Sequence, residues 1–203
     1  LYQNKLETLD YRYMRAHERL TATLGLMDSL ERKIGCVLPE DYRVFLNQFG
    51  RIAFRGHATV PIHTLKPTQK GIVSVLFGFS TNPQSYDIRH EFQNYANRIP
   101  SNLLPIGADP GGNLFCISVT GNDKGIVYFW DHEHQENTFE QFQDRVTDLE
   151  NIGINTKLLD TDQIILIWEF ENQDRLPHPP GYGNMYKIAG SFEAFFNLIA
   201  AEE

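Results

Sequence analysis

Four consecutive side chains of the metal-ligating type, Asp131-His132-Glu133-His134, directly follow an apolar run in this chain. Carboxylates and imidazoles bind zinc in hydrolases, so Asp131, His132 and Glu133 indicate a metal-dependent hydrolase as one alternative. If the apolar run is a strand that continues through them, alternate side chains point to opposite faces and no face collects three ligands without a turn. A helical His-Glu-x-x-His motif is absent from the sequence. We therefore predict no bound metal and no cofactor.

Nucleophilic catalysis has no strong signature either. Cys36 and Cys116 are flanked by Val37 and by Phe115 and Ile117, which are the apolar surroundings of unreactive core thiols. The sequence holds no Gly-x-Ser-x-Gly elbow, no Walker loop and no dinucleotide-binding glycine motif. We predict that no residue is catalytic and that the protein is not an enzyme.

The charge of the chain is unevenly spread over its 203 residues. Residues 131–174 hold twelve acidic and two basic residues, a net charge of −10, whereas the whole chain has a net charge of −8. Within this window Thr138 can cap a helix whose apolar residues share one face, so that the carboxylates face water. The candidate partner-binding residues are Asp131, Glu133, Glu136, Glu140, Asp144, Asp148, Glu150, Asp160 and Asp162.

Such a cluster favours a basic protein as the partner. Clustered carboxylates speed association with a basic protein by about 10- to 1000-fold. The same charge disfavours direct binding of nucleic acid, because phosphates are bound by clustered Lys and Arg. The alternative interpretation is that these carboxylates only keep an exposed helix face hydrated.

Hydrophobic spacing and turn residues predict the elements that position these residues. Helices are predicted at residues 6–24, 28–34, 40–49, 85–99, 138–149 and 191–199. Two strands around a loop are predicted within 59–79, and further strands at 103–106, 114–119, 126–130, 164–170 and 186–188, with a loop at 177–183. The order of helices, then strands, then a helix favours an α+β domain over alternating βαβ units.

The length of the chain and its apolar runs limit the classes of protein to which it can belong. A chain of 203 residues is typical of one domain. Its longest apolar runs, at 71–80 and 163–168, are far shorter than the roughly 20 residues that span a bilayer. The first residues lack the apolar core of a signal peptide, so we expect a cytoplasmic protein without membrane contact.

Four stretches, taken in their order and spacing, resemble the SUKH superfamily, which groups a fungal cell-wall-assembly regulator with bacterial toxin-immunity proteins. These stretches are LERKIG followed by LPEDYRVFL at residues 30–46, LPIGADPGGN at 104–113, VYFWDHE at 127–133 and IAGSFEAF at 188–195. About fifty residues separate the third stretch from the fourth, more than in many members. The resemblance therefore implies a single domain over 1–203 with a family-variable acidic insertion at about 134–183.

The resemblance also implies a fold and a function. The fold is α+β, with a mostly antiparallel sheet and helices packed on one side. Bacterial members commonly neutralise toxins delivered by neighbouring cells, many of them nucleases, by binding rather than by chemistry. We therefore expect an immunity-type protein that blocks a basic toxin, such as a nuclease, through the acidic surface. The fungal relatives imply a second alternative, a regulatory scaffold protein of cell-wall synthesis.

Overall fold

The structure is a computed structural model that describes residues 2–13, 23–55, 58–62, 69–80, 86–96, 98–132, 139–159, 161–172 and 184–201. Its helices are α1 (Gln3–Leu6), α2 (Thr23–Ile34), α3 (Glu40–Phe49), α4 (Ile88–Asn94), α5 (Phe139–Asn151), α6 (Thr161–Glu171) and α7 (Phe192–Leu198). Its strands are β1 (Tyr11–Tyr13), β2 (Ile52–Phe54), β3 (Ala58–Ile62), β4 (Gln69–Ile72), β5 (Val75–Leu76), β6 (Leu103–Ala108), β7 (Leu114–Ser118), β8 (Val127–Trp130), β9 (Met185–Ala189) and β10 (Ala200–Ala201). A 3-10 helix covers Thr156–Leu158.

In the part of the chain described, seven strands form one sheet in the order β1-β2-β5-β6-β7-β8-β9. Each neighbouring pair in this sheet is antiparallel. A smaller antiparallel sheet has the order β10-β3-β4. The predicted three-strand meander is confirmed as β6, β7 and β8, and the predicted α+β class with a mostly antiparallel sheet is confirmed as well.

The central strands are covered on both faces, whereas the resemblance implied helices on one side only. Phe115 of β7 lies on the face that α7 covers, with its ring centroid 5.4 Å from that of Phe195. Trp130 of β8 points to the opposite face, where its ring lies 5.9 Å from Tyr95, just after α4. Because both faces are dry, β7 and β8 consist of buried residues throughout and do not alternate with polar ones.

Helix α3 has the ends that its sequence predicts. Pro39 precedes it, Glu40 and Asp41 occupy its positive first turn, and Gly50 ends it with a φ of +62°, a conformation that glycine adopts without steric cost. Its aromatic stripe packs on α7, where the rings of Phe45 and Phe192 are 4.8 Å apart.

The amino ends of α3 and α7 are joined through a carboxylate. The Asp41 side chain accepts a hydrogen bond from the backbone N–H of Glu193 at 2.9 Å. Ser191 caps α7 as predicted, because its hydroxyl accepts from the backbone N–H of Ala194. The extended segment predicted just before α7 is β9.

Two predictions of local structure are wrong. Residues 11–13 form strand β1, which pairs with β2, so a single helix over 6–24 does not exist; residues 14–22 lie outside the described part. Residues 164–170 lie in helix α6 and not in a strand. Periodicity alone does not separate a short apolar strand from a short apolar helix, and the packing of this segment on α5 decides for the helix.

The other boundaries differ less. Helix α2 begins at Thr23, before the expected cap at Asp28, and ends at Gly35 as predicted. Helix α4 begins later than expected because Asp87 caps it, and it ends earlier than expected, at Asn94. The predicted loop at 177–183 lies outside the described residues. None of the described helices has the length and apolar character needed to cross a membrane.

Candidate functional site

Helix α5, the 3-10 helix and α6 form a helical hairpin, residues 139–172, which we call the acidic hairpin. The predicted helix after Thr138 is confirmed as α5, and α6 packs back against it. Gly153 makes the turn with a φ of +90°. Leu149 and Ile164 are buried in the hairpin and lie outside the main core cluster, so the hairpin has a small core of its own.

Trp168 of α6 joins the two helices. Its indole Nε1 donates a hydrogen bond to Asp148 Oδ2 at 2.9 Å. The Arg145 guanidinium lies over the indole face, 4.8 Å from the ring centroid. Arg145 and Asp148 are three residues apart on α5, which places both side chains on one side of that helix. The indole is thus held at its face by a cation and at its edge by a carboxylate.

The carboxylate of Glu150 holds the turn of the hairpin. It accepts a hydrogen bond from the hydroxyl of Thr156 at 2.7 Å, and Thr156 is itself buried. Asn155 caps the 3-10 helix by accepting from the backbone N–H of Lys157. Asp148 and Glu150 therefore stabilise the hairpin as well as carrying negative charge at its exposed side.

The structure places only some of the sequence-predicted site residues. Asp144, Asp148 and Glu150 are exposed on α5. Asp131 is half-buried at the end of β8, where its backbone N–H donates to the Asn184 carbonyl. Glu140 and Asp162 lie within α5 and α6, but their side chains are outside the described part of the structure, as are the residues Glu133, Glu136 and Asp160.

The charge of the acidic hairpin follows from its composition. Residues 139–172 contain eight acidic and two basic residues, a net charge of −6. One of the two basic residues, Arg145, is buried against Trp168 and is only 8% exposed. Glu171, which is not among the predicted contact residues, is exposed at the end of α6 and adds a carboxylate to the hairpin surface.

His132, a member of the candidate metal-ligating group, contacts the loop before β7. Its backbone N–H and its ring Nδ1 both contact Asn113 Oδ1, at 3.0 and 2.8 Å. The Asn113 amide nitrogen donates to Asp109, so the Asn113 oxygen faces His132 and only accepts. His132 Nδ1 therefore carries the hydrogen, and the imidazole ties the end of β8 to the Asp109-Asn113 loop.

Among the residues that the structure describes, no three His, Cys, Asp or Glu side chains lie close enough together to hold a metal ion. The hydrolase alternative on Asp131, His132 and Glu133 has no support from the described residues, and Glu133 lies outside them. Cys116 is buried in β7, as the sequence predicts, and burial raises the pKa of its thiol well above the ordinary value. Burial also raises the pKa of the partly buried Cys36 thiol, against a smaller opposing effect of Lys124.

The role of α6 in the hairpin differs from the strand predicted for residues 164–170. Ile164 and Trp168, at i and i+4, form the face toward α5, and this helical spacing was the available signal. The continuous apolar run at 164–168 fits a buried strand equally well, and only the packing of α6 against α5 identifies it as a helix.

Comparison with known proteins shows which part of this chain resembles its relatives. A family model described as the SMI1/KNR4 family (SUKH-1) matches residues 21–149. The SPbeta prophage-derived uncharacterized protein YokK of Bacillus subtilis (strain 168) is 28% identical over 139 residues, covering 57% of this chain and 70% of the relative. The family match ends within α5, so the rest of the hairpin lies beyond the family pattern.

Proposed function

The chain belongs to the SMI1/KNR4 family (SUKH-1), and we propose that it is a non-catalytic, immunity-type protein that binds and neutralises a basic protein toxin, such as a nuclease. Members of this family are often immunity proteins. The proposed contact residues are nine of the twelve acidic residues in the 131–174 window: Asp131, Glu133, Glu136, Glu140, Asp144, Asp148, Glu150, Asp160 and Asp162. The protein acts by covering the toxin's surface and performs no chemistry on it.

One observation carries the proposal: the acidic hairpin gathers a net charge of −6 into 34 residues. A nuclease must present basic side chains to hold its phosphate substrate. A carboxylate-rich surface is complementary to those side chains, so it attracts the toxin and competes with the nucleic acid for the same face. Because Asp148 and Glu150 also hold the hairpin together, they keep its two helices in place while their charge contributes to the field.

The test uses the secreted toxin encoded next to the gene in the source genome. Co-expression of the protein with the toxin's catalytic domain should restore growth of the host cell. The variant Asp144→Lys combined with Glu171→Lys changes two exposed residues that do not hold the hairpin together, and it should slow association about tenfold or more. Raised salt should slow association of the unmodified protein in the same way.

The matched control reverses two exposed carboxylates elsewhere, Glu7→Lys with Asp28→Lys, which changes the net charge by the same amount. This control should bind at nearly the unmodified rate. Equal loss in both double variants would mean that only overall charge matters, and unimpaired binding of the hairpin variant would remove the hairpin from the proposed contact.

The regulatory scaffold alternative predicts a different gene neighbourhood, with no secreted toxin beside the gene. The hydrolase alternative is tested by metal analysis of protein purified without a tag. A stoichiometric ion that is lost in the His132→Ala variant would favour the hydrolase over the immunity function.

A further inference from the structure

Helix α6 is apolar on two opposite faces. Ile164 is 5% exposed and packs in the hairpin, on the side that also carries Trp168. Leu166 and Phe170 are 43% and 54% exposed. At about 100° per residue, Leu166 lies about 200° around the helix from Ile164, and Phe170 follows Leu166 by four positions on the same side. The face opposite α5 is therefore an exposed apolar surface, which we call the outer face of α6.

Exposed apolar side chains are concentrated in this part of the molecule. In the described part of the chain seven large apolar residues are exposed, and four of them belong to the acidic hairpin: Ile152, Leu158, Leu166 and Phe170. The apolar face of a helix is normally buried against another element. Here one face is covered by α5, so the outer face is a surface on which a partner can dock.

The surrounding charge decides which partner fits. In the sequence of α6, Asp162 precedes Leu166 by four positions and Glu169 follows it by three. Glu171 is exposed next to Phe170 along the chain. Two copies of this chain meeting at this face would bring two hairpins of net charge −6 together, which like-charge repulsion opposes. A protein with apolar side chains flanked by Lys or Arg has the complementary surface.

We infer that the outer face of α6 is the apolar centre of the partner contact, with Leu166 and Phe170 as its anchors and the carboxylates as its rim. This inference rests on the proposed function, because it names the surface that the same basic partner covers. In interfaces of this kind the buried apolar centre carries most of the binding energy and governs dissociation, whereas the charged rim governs association.

The experiment uses the full chain and defined peptides, so that it needs no toxin. A fluorescein-labelled helical peptide of about 18 residues, with Leu at every third and fourth position and Lys elsewhere, is titrated and followed by anisotropy. A second peptide has Ser in place of each Leu and the same charge, and a third has Glu in place of each Lys.

The protein variants are Leu166→Gln with Phe170→Gln and, as the matched control, Val37→Gln with Leu198→Gln, which are exposed apolar residues outside the hairpin. Glutamine keeps a high helix propensity, and circular dichroism checks that each variant is folded.

The Leu-Lys peptide should bind at least tenfold more tightly than the Ser-Lys peptide, and the Leu-Glu peptide should not bind. The Leu166 and Phe170 variant should lose this tenfold advantage, and the control variant should keep it. Equal binding of the Leu-Lys and Ser-Lys peptides, or an advantage that survives in the variant, would overturn the inference. A concentration-dependent dimer in sedimentation that the Leu166 and Phe170 variant abolishes would assign the face to a second copy and overturn it as well. Failure of the toxin to be neutralised while the peptide results hold would reject the proposed function but not the docking face.

Discussion

The indole Nε1 of Trp168 donates a hydrogen bond to Asp148 across the two helices of the acidic hairpin, at a distance of 2.9 Å. This contact joins the apolar second helix of the hairpin to its acidic first helix. The sequence shows these two properties separately, in two different segments. The carboxylate that contributes to the negative field also positions α6, and with it the exposed residues Leu166 and Phe170. Loss of the Trp168 contacts should therefore disturb the candidate surface without unfolding the sheet.

The first prediction concerns Trp168→Ala. The variant loses the hydrogen bond to Asp148 and the contact with Arg145, which together contribute about 1–2 kcal/mol. Hydrogen exchange should show that protection of the hairpin amides falls by about tenfold, whereas protection of β7 and β8 stays unchanged. Phe170→Ala is the matched control, because this aromatic side chain points away from α5 and its loss should leave protection intact. An equal loss of protection in the sheet would show that the hairpin does not open by itself.

The central elements were predictable because local and tertiary preferences agree in them. Helix α3 has its acidic first turn and its terminal glycine, and the β6-β7-β8 meander has turn residues between short apolar runs. The segment 164–170 was not predictable in the same way. Its apolar residues fit a strand as well as a helix, and the evidence for the helix is the packing of Ile164 and Trp168 against another element.

Only the negative charge of the candidate site was predictable from the sequence. The carboxylates of Asp144, Asp148 and Glu150 are visible in the sequence, and α5 places them as its helical spacing indicates. That Asp148 and Glu150 accept hydrogen bonds from Trp168 and Thr156 depends on contacts between elements, which spacing within one helix does not encode. The exposure of Leu166 and Phe170 depends on the same contacts.

The second prediction compares two buried tyrosines. The Tyr42 hydroxyl is buried without a hydrogen-bond partner within the part of the chain described, whereas the Tyr2 hydroxyl donates to the Asp41 carbonyl at 2.9 Å. An unsatisfied buried polar group costs about 1–3 kcal/mol, and a satisfied one contributes about 1 kcal/mol. Tyr42→Phe should therefore raise the free energy of unfolding by about 1 kcal/mol, and Tyr2→Phe should lower it by about as much. Urea unfolding of both variants checks this, and a change of the same sign in both would contradict it.

The third prediction concerns the buried carboxylate of Asp87. It accepts hydrogen bonds from the backbone N–H groups of Ser80 and Arg89 and pairs with the Arg89 guanidinium at 2.8 Å. Asp87→Ala removes the cap of α4 and leaves these donors without their acceptor, so it should lower the free energy of unfolding by about 3 kcal/mol. Asp28→Ala, at an exposed carboxylate of α2, should change it by less than about 0.5 kcal/mol. Thermal unfolding of the two variants separates these outcomes, and equal stability would contradict the structural role of Asp87.

The last prediction uses pH to test the burial of Cys116. Burial raises the pKa of this thiol well above its ordinary value of 9.0 in the folded protein, whereas in the unfolded chain it titrates near that value. Below about pH 9 both states hold the proton and the contribution to stability is complete. Above it the unfolded chain loses the proton first, so the free energy of unfolding should fall by up to about 1.4 kcal/mol per pH unit.

Cys116→Ala lowers stability at every pH because it leaves a cavity, but its stability should decline less steeply between pH 9 and 10 than that of the unmodified protein. Cys36→Ala should change the slope less, because this thiol is only partly buried. Identical slopes in the unmodified protein and the Cys116 variant would show that the thiol reaches solvent in the folded state.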